Sequence, residues 1–305
     1  MTWEEIKQYK IRLMILAVVA VLFMLIAMFS PFVILATRTT YMNPMLWMLG
    51  GILCAGITFL FFYKMYKRYR TAYKDKVVNR AAETLFDSFS YYSDYGFTRD
   101  EIAATGIMSM GNRFHSEDMV EGTYKGVPFR RADLYIAQHT SSGKSSHTTV
   151  YIRGTWIVFR YNKNFEADLQ VSSKDFSYER NNASRLFVRS SERWNTIQTE
   201  DMEFNRMFDA RCQNEVEAFY LLTPRVMQML KFLRSELGAP IMVGFVHNML
   251  HVAISSGKNH MEPPLFGEIN PELDVMKIRT ELKSICNIID ALSMDREIFR
   301  GDSEW

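Results

Sequence analysis

The tetrapeptide HSED places His115 two residues before Glu117 and three before Asp118. An imidazole beside carboxylates is raw material for acid/base chemistry, provided a pocket brings a substrate within hydrogen-bond reach. Sequence alone supplies no pocket, and HSED reads as surface loop. His247 and His251 are four apart, the spacing at which one helical face offers two metal ligands. No glutamate follows His247, and IMVGFVHNMLHVAI reads as a strand pair turning at His247-Asn248, so no metal is expected there. SSGKSS has the Gly-Lys-Ser of a phosphate loop, but the motif's first glycine falls on Gln138. It reads as a hairpin tip.

Neither a Gly-x-Ser-x-Gly elbow nor a Gly-x-Gly-x-x-Gly turn is present. Cys54, Cys212 and Cys286 have no paired or metal-ligating spacing, which fits a reducing compartment. The expectation is a chain with no catalytic constellation, cofactor or metal that local spacing can reveal. Scattered residues that meet only in space leave an enzyme open.

The strongest local signal is a basic run, FYKMYKRYR, at residues 62–70. Three readings compete: a nucleic-acid arm, an anionic-headgroup site, and a topology signal. The first 80 residues hold eleven Lys/Arg and three acids, which leaves 25 bases against 31 acids in the remainder. An acidic body on a basic anchor argues against nucleic acid, whose binders present a basic face. Topology and anchoring fit best. Clusters of basic residues beside a span also attract anionic lipid, so Lys64, Lys67, Arg68 and Arg70 are candidate headgroup contacts. Tyr63, Tyr66 and Tyr69 recur every third residue, a spacing that sets them along a helix near the headgroups.

Two apolar stretches position that run. Residues 13–36 are interrupted only by Ser30 and Pro31, and residues 45–63 carry no charge. Each is long enough to cross about 30 Å of hydrocarbon as a helix. Pro31 is expected to kink or end the first, and the short connector TRTTYMNP makes the pair a hairpin. The first apolar core is longer than that of a cleaved signal peptide. Lys7, Lys10 and Arg12 precede the first span, six basic residues from Lys64 to Lys76 follow the second, and only Arg38 lies between. The positive-inside rule then puts both termini in the cytoplasm. Gly50, Gly51, Cys54, Ala55 and Gly56 offer a small-residue surface for helix contact, within the hairpin or between copies.

Beyond the membrane, Val77, Val78, Ala81, Leu85, Phe86 and Phe89 predict a helical stalk from Tyr73 to Tyr92. Thr98 and Glu101 form a capping box that opens a helix through about Met110. GTYKGVPFRRADLYIAQ and TTVYIRGTWIVFRYN read as the strands of a hairpin with HTSSGKSSH at its tip. Further strands are expected at 168–172, 185–189 and 207–212. Thr223-Pro224 divides two helical pieces, Gly238 stops the second, and Asn270-Pro271 opens a final helix. That helix repeats Val275, Ile278, Leu282, Ile285, Ile289 and Leu292. The repeat suits a coiled coil, but Met276 and Ile288 widen the stripe and favour packing on a sheet.

Segments 117–134, 151–165 and 204–224 resemble an uncharacterised bacterial family with two membrane helices and a cytoplasmic domain of unknown function. The matching positions are Glu117, Asp118, Gly122, Gly126, Phe129, Arg153-Gly154, Lys163, Phe204, Phe208, Glu217-Ala218 and Leu222-Thr223-Pro224. Asn214 departs from the Asp often found in that pattern. The resemblance implies no activity. Genes of the family can lie beside those of LemA-type membrane proteins, which implies envelope work.

The sequence thus predicts an α+β protein in three parts. A membrane anchor spans 1–72, a helical stalk and connector 73–112, and a cytoplasmic antiparallel-sheet domain 113–300, which a pleckstrin-homology-like barrel would suit. The expected role is a binding or scaffolding module at a bacterial inner membrane. Its expected partners are membrane lipids, other membrane proteins or further copies of itself, and not nucleic acid. A membrane-bound hydrolase acting on lipid or envelope precursors is the alternative.

Overall fold

The computed structural model describes residues 1–37, 44–143, 145–160, 168–176, 195–257 and 261–292. The chain divides into two compact units, one of residues 1–77 with 262–274, the other of 78–261 with the chain from 275 onward.

The first unit is built on helices α1 (Trp3–Thr37) and α2 (Pro44–Ala82). Both are long and apolar enough to cross a membrane. Their large apolar side chains lie open to the surroundings, as at Leu25, Phe32, Leu53 and Leu60. Pro31 does not end α1, which runs on to Thr37. A proline there deprives the Ala27 carbonyl of its donor four residues on. The Ser30 hydroxyl donates to that carbonyl instead, at 3.4 Å, the local repair that lets apolar helices tolerate proline. Gly51 brings the helices together: a Cβ there would lie 2.8 Å from the Ala27 Cβ. Gly50 and Gly56 face open space.

The second unit is an open antiparallel sheet of nine strands in the order β1-β2-β3-β4-β9-β8-β5-β7-β6. The strands are β1 (Ser88–Tyr92), β2 (Arg113–Tyr124), β3 (Val127–Ser142), β4 (Ser145–Arg160), β5 (Leu169–Ser173), β6 (Asn195–Ile197), β7 (Phe208–Cys212), β8 (Ile241–Val246) and β9 (Met249–Ile254). The helices are α3 (Arg99–Ala104), α4 (Met202–Met207), α5 (Glu215–Leu221), α6 (Pro224–Leu237) and α7 (Pro271–Leu292), of which α7 enters this unit at Val275. The expected barrel is not formed. Among the described residues β1 pairs only with β2 and β6 only with β7, so the sheet keeps two edges.

The expected helix from Tyr73 to Tyr92 stops at Ala82, and Ser88–Tyr92 pairs with β2. SFSYY alternates with period two, which a strand satisfies and a helix does not. The stretch read as one strand, GTYKGVPFRRADLYIAQ, is two. Lys125 and Gly126 both take positive φ, 51° and 76°, the backbone of a two-residue hairpin turn. His247 and Asn248 turn β8 into β9 the same way, as expected, at 50° and 60°.

Caps mark the helix ends. Thr98 and Glu101 form the expected box, but α3 closes at Ala104 rather than near Met110. Thr223 caps α6, with Pro224 in its first turn and Gly238 ending it in the left-handed region. The Asn270 side chain accepts from the Leu273 amide at the start of α7. The expected strand at 185–189, the connector 161–167 and the C-terminal tail lie outside the described residues.

Alternation assigns the two faces of the central strands. Ala132, Leu134 and Ile136 of β3 and Ile152, Trp156 and Val158 of β4 join one apolar core with Ile102, Ile107, Met242 and Ala253. The intervening residues carry Arg131, Asp133 and Tyr135 on β3 and Arg153 and Thr155 on β4 to the other face. α7 buries Val275, Ile278, Leu282, Ile285, Ile288 and Ile289 within the chain, while Met276 stays exposed. Asp290 of α7 meets Lys125 at 2.7 Å, which fastens that end of the helix to the β2–β3 turn.

Candidate functional site

HSED is not a loop. It lies in β2, where register places His115 opposite Tyr135 and Glu117 opposite Asp133. β4 completes both rows, with Arg153 opposite Tyr135 and Thr155 opposite Asp133. Two polar rows, His115–Tyr135–Arg153 and Glu117–Asp133–Thr155, therefore cross three strands on one face. They border a cleft of about 240 Å³ lined by His115, Glu117, Asp133, Tyr135, Arg153 and Gly154. The His115 imidazole is exposed and its Nε2 lies 3.5 Å from a buried Glu117 carboxylate oxygen.

A β-bulge between Glu117 and Val120 shapes the end of these rows. Asp118 sits in it at φ 60° and is wholly buried. Bulges re-aim side chains at the cost of a local break in the ladder. Here the break turns the Asp118 carboxylate to accept the Tyr91 hydroxyl at 2.5 Å, tying β2 to edge strand β1.

Beneath the cleft lies Arg131, 1% exposed. Its guanidinium meets Asp133 and Glu281 at 2.7 Å each and donates to Thr155 Oγ1 at 3.0 Å. Burial works against the charge, yet Asp133, Glu281 and Asp118 outweigh it and raise the pKa above arginine's ordinary value. Arg131 is thus a fixed cation joining the sheet to α7. Its fork geometry suits two carboxylates at once. Sequence reading missed Arg131, Asp133 and Glu281. The only local hint is the paired arginines of FRRADL inside an otherwise apolar strand.

A second groove, about 500 Å³, runs along the opposite margin, lined by Ser88, Phe89, Ser90, Glu121, Thr123 and Arg130. Glu121 and Arg130 pair across it at 3.0 Å. Tyr92 and Tyr95 are half exposed and pack edge to face, with centroids 6.3 Å apart. Ser88, Phe89 and Ser90 of edge strand β1 form one wall of the groove, and Tyr92 ends that strand.

In the first unit the basic run is divided between roles. Lys64, Lys67 and Arg68 are exposed on α2. Arg70 instead pairs with Glu262, which also takes Lys74 at 2.9 Å. Burial pushes the Glu262 pKa up, but Arg70 and Lys74 hold it below the usual carboxylate value. Tyr69 is fully buried and its hydroxyl donates to the Pro264 carbonyl at 3.1 Å. Of the three tyrosines expected at the headgroups, this one faces the protein. Glu262 lies 192 positions from Arg70, a separation that leaves no local signal.

The remaining candidates lie apart from these sites. His251 is buried in β9, where the Trp156 indole N–H donates to its Nδ1 at 3.3 Å. His247 stands in the turn. Of the SSGKSS stretch, Ser141 and Ser142 end β3, Ser145 and Ser146 begin β4, and Gly143 takes φ 54°. All three cysteines are free thiols. Burial first, and then Asp290, push the Cys286 pKa to about 11, so it stays protonated at neutral pH.

Residues 151–294 match the model of a family described as a protein of unknown function (DUF3137). The match agrees with the resemblance to an uncharacterised family and takes in Arg153-Gly154, Phe204, Phe208 and Leu222-Thr223-Pro224. Glu117, Asp118 and the Lys125-Gly126 turn lie before it. No curated protein matches the chain. One similar solved structure is the crystal structure of the mycobacterial trehalose monomycolate transport factor A, TtfA. It is 9% identical, covers 77% of this chain and 100% of its own, and superposes with a TM-score of 0.39. A likeness at that level carries no argument about role.

Proposed function

We propose that the chain is a binding and scaffolding module held at a bacterial cytoplasmic membrane. α1 and α2 cross the bilayer as a hairpin and leave both termini in the cytoplasm, the side on which basic residues gather. The sheet domain receives an extended segment of a partner protein, which adds a strand to β1. The observation that carries this reading is the edge surface: a strand paired on one side among the described residues, a groove of about 500 Å³ beside it, and the Tyr92–Tyr95 pair. An added strand gains affinity from main-chain hydrogen bonds and specificity from side-chain pockets. Most proteins blunt such an edge with charge or proline. SFSYY has neither.

The test is site-specific photo-crosslinking in native membranes. A crosslinker at Ser90 should give one discrete adduct, and the same probe at Ser146 near the exposed hairpin tip should not. Equal adducts from both positions, or none from Ser90, would contradict the reading.

A second reading rests on the cleft. It brings His115, Glu117, Asp133 and Arg153 to one wall, as a membrane-bound hydrolase of lipid or envelope precursors would require. Asp133 is already engaged by Arg131, which favours binding over proton transfer. Hydrolysis of such precursors by the purified chain, lost in His115→Ala, would establish the second reading.

A further inference from the structure

The first unit contains a loop whose fastening and exposure are at odds. Glu262 is held by Arg70 and Lys74. Pro263 and Ile269 are buried. The Pro264 carbonyl accepts from Tyr69 of α2, and the Gly267 carbonyl accepts from the Lys10 ammonium of α1. Gly267 adopts φ 106°, a conformation open to glycine alone, and turns the chain back. Between these anchor points stands Phe266, 85% exposed, the most exposed of the large apolar side chains described.

A loop pinned this closely does not present a bare phenylalanine for want of contacts. We infer that Phe266, with Leu265 beside it, dips into the lipid surface as an interfacial anchor. The position of the pins supports a lipid occupant. Tyr69 lies six residues beyond Tyr63, the end of the uncharged stretch of α2, or about 9 Å along a helix. Lys10 lies three residues before Leu13, where the apolar stretch of α1 begins, or about 4.5 Å. The polar zone of a bilayer leaflet is about 5–8 Å deep. Interfacial side chains reach through that zone to the acyl boundary. The loop therefore continues the lipid-facing surface of α1 and α2 at the level where their charges begin. Lys64, Lys67 and Arg68 stand exposed on α2 at the same level, where they attract anionic headgroups. In this arrangement the basic run works on both sides: exposed cations meet lipid, while Tyr69 and Arg70 hold the loop that inserts.

The inference rests on α1 and α2 spanning the bilayer. The test reconstitutes the full chain in phosphatidylcholine–phosphatidylglycerol vesicles doped with a phospholipid bearing a diazirine on its upper acyl chain, and maps adducts by mass spectrometry. Adducts are expected on α1, on α2 and on the peptide carrying Leu265 and Phe266. In Phe266→Glu the loop adducts should fall several-fold while those on the helices persist. Adducts on the helices with none on the loop would overturn the inference and leave the anchor standing. No adducts on the helices would overturn both.

Discussion

Arg131 on β3 and Glu281 on α7 meet at 2.7 Å, 150 positions apart in the chain. Asp133 closes the cluster from Arg131's own strand. The contact is the polar weld between the sheet and the helix that covers one of its faces. Removing the cation would leave two poorly solvated carboxylates facing each other. Arg131→Met should cost about 3–5 kcal/mol, the range for breaking a buried ion pair from one side. Denaturant unfolding of the full chain in detergent checks the value. Arg131→Met combined with Asp133→Leu and Glu281→Leu should recover most of the loss.

Gly154 lines the cleft and also seals a strand seam. A Cβ there would lie 2.1 Å from the Ile254 carbonyl oxygen, a backbone atom that cannot step aside. Gly154→Ala should destabilise the sheet by about 1–3 kcal/mol, as overpacking does. Amide exchange should rise along β4 and β9 together. Gly50→Ala, facing open space, should leave exchange unchanged.

His251 gives the sheet domain an acid sensitivity. Burial, with a smaller contribution from His247, lowers its pKa to about 4. The folded state therefore keeps the ring neutral, with Nδ1 accepting from Trp156, while the unfolded chain takes up a proton near pH 6.5. Between these values the unfolded state binds more protons, so stability falls as pH falls. The contribution is complete above about pH 6.5 and about 3 kcal/mol has gone by pH 4. His251→Phe should remove that part of the slope in unfolding curves collected across the window.

Gly51 sets the approach of the two long apolar helices, α1 and α2, at Ala27. Without a hydrophobic drive in lipid, close backbone contact carries helix association. Gly51→Leu should separate the hairpin, with a loss of about 1–3 kcal/mol. Gly50→Leu should not. Sodium dodecyl sulfate titration of the reconstituted chain measures both.

Features set by near neighbours are legible in the sequence. Thr98 and Glu101, Thr223-Pro224 and Asn270-Pro271 mark helix starts that depend on residues three positions away or fewer, and His247-Asn248 marks a turn. Lys125-Gly126 is harder to recognise as a turn, because the valine and proline after it continue an apolar run. Ser88–Tyr92 reads as helix because it follows a helical stripe, yet its pairing is decided by β2, whose partners Met119 to Thr123 lie 27 to 35 residues downstream. The cleft is half visible. HSED stands out for its chemistry, but its place in a bulged strand depends on β3. Arg131 with Glu281, and Arg70 with Glu262, join residues 150 and 192 positions apart. Nothing in either local sequence announces the other.

The central claim is that the β1 edge receives a partner strand at the membrane. The most direct measurement is amide hydrogen exchange on residues 88–92. It compares the chain kept in native-lipid particles with its co-purifying proteins against the chain stripped to a monomer in detergent. Protection at 88–92 is expected to rise several-fold in the particles, with β8 and β9 unchanged. Equal exchange at 88–92 in both preparations, with the co-purifying proteins still bound, would contradict the claim.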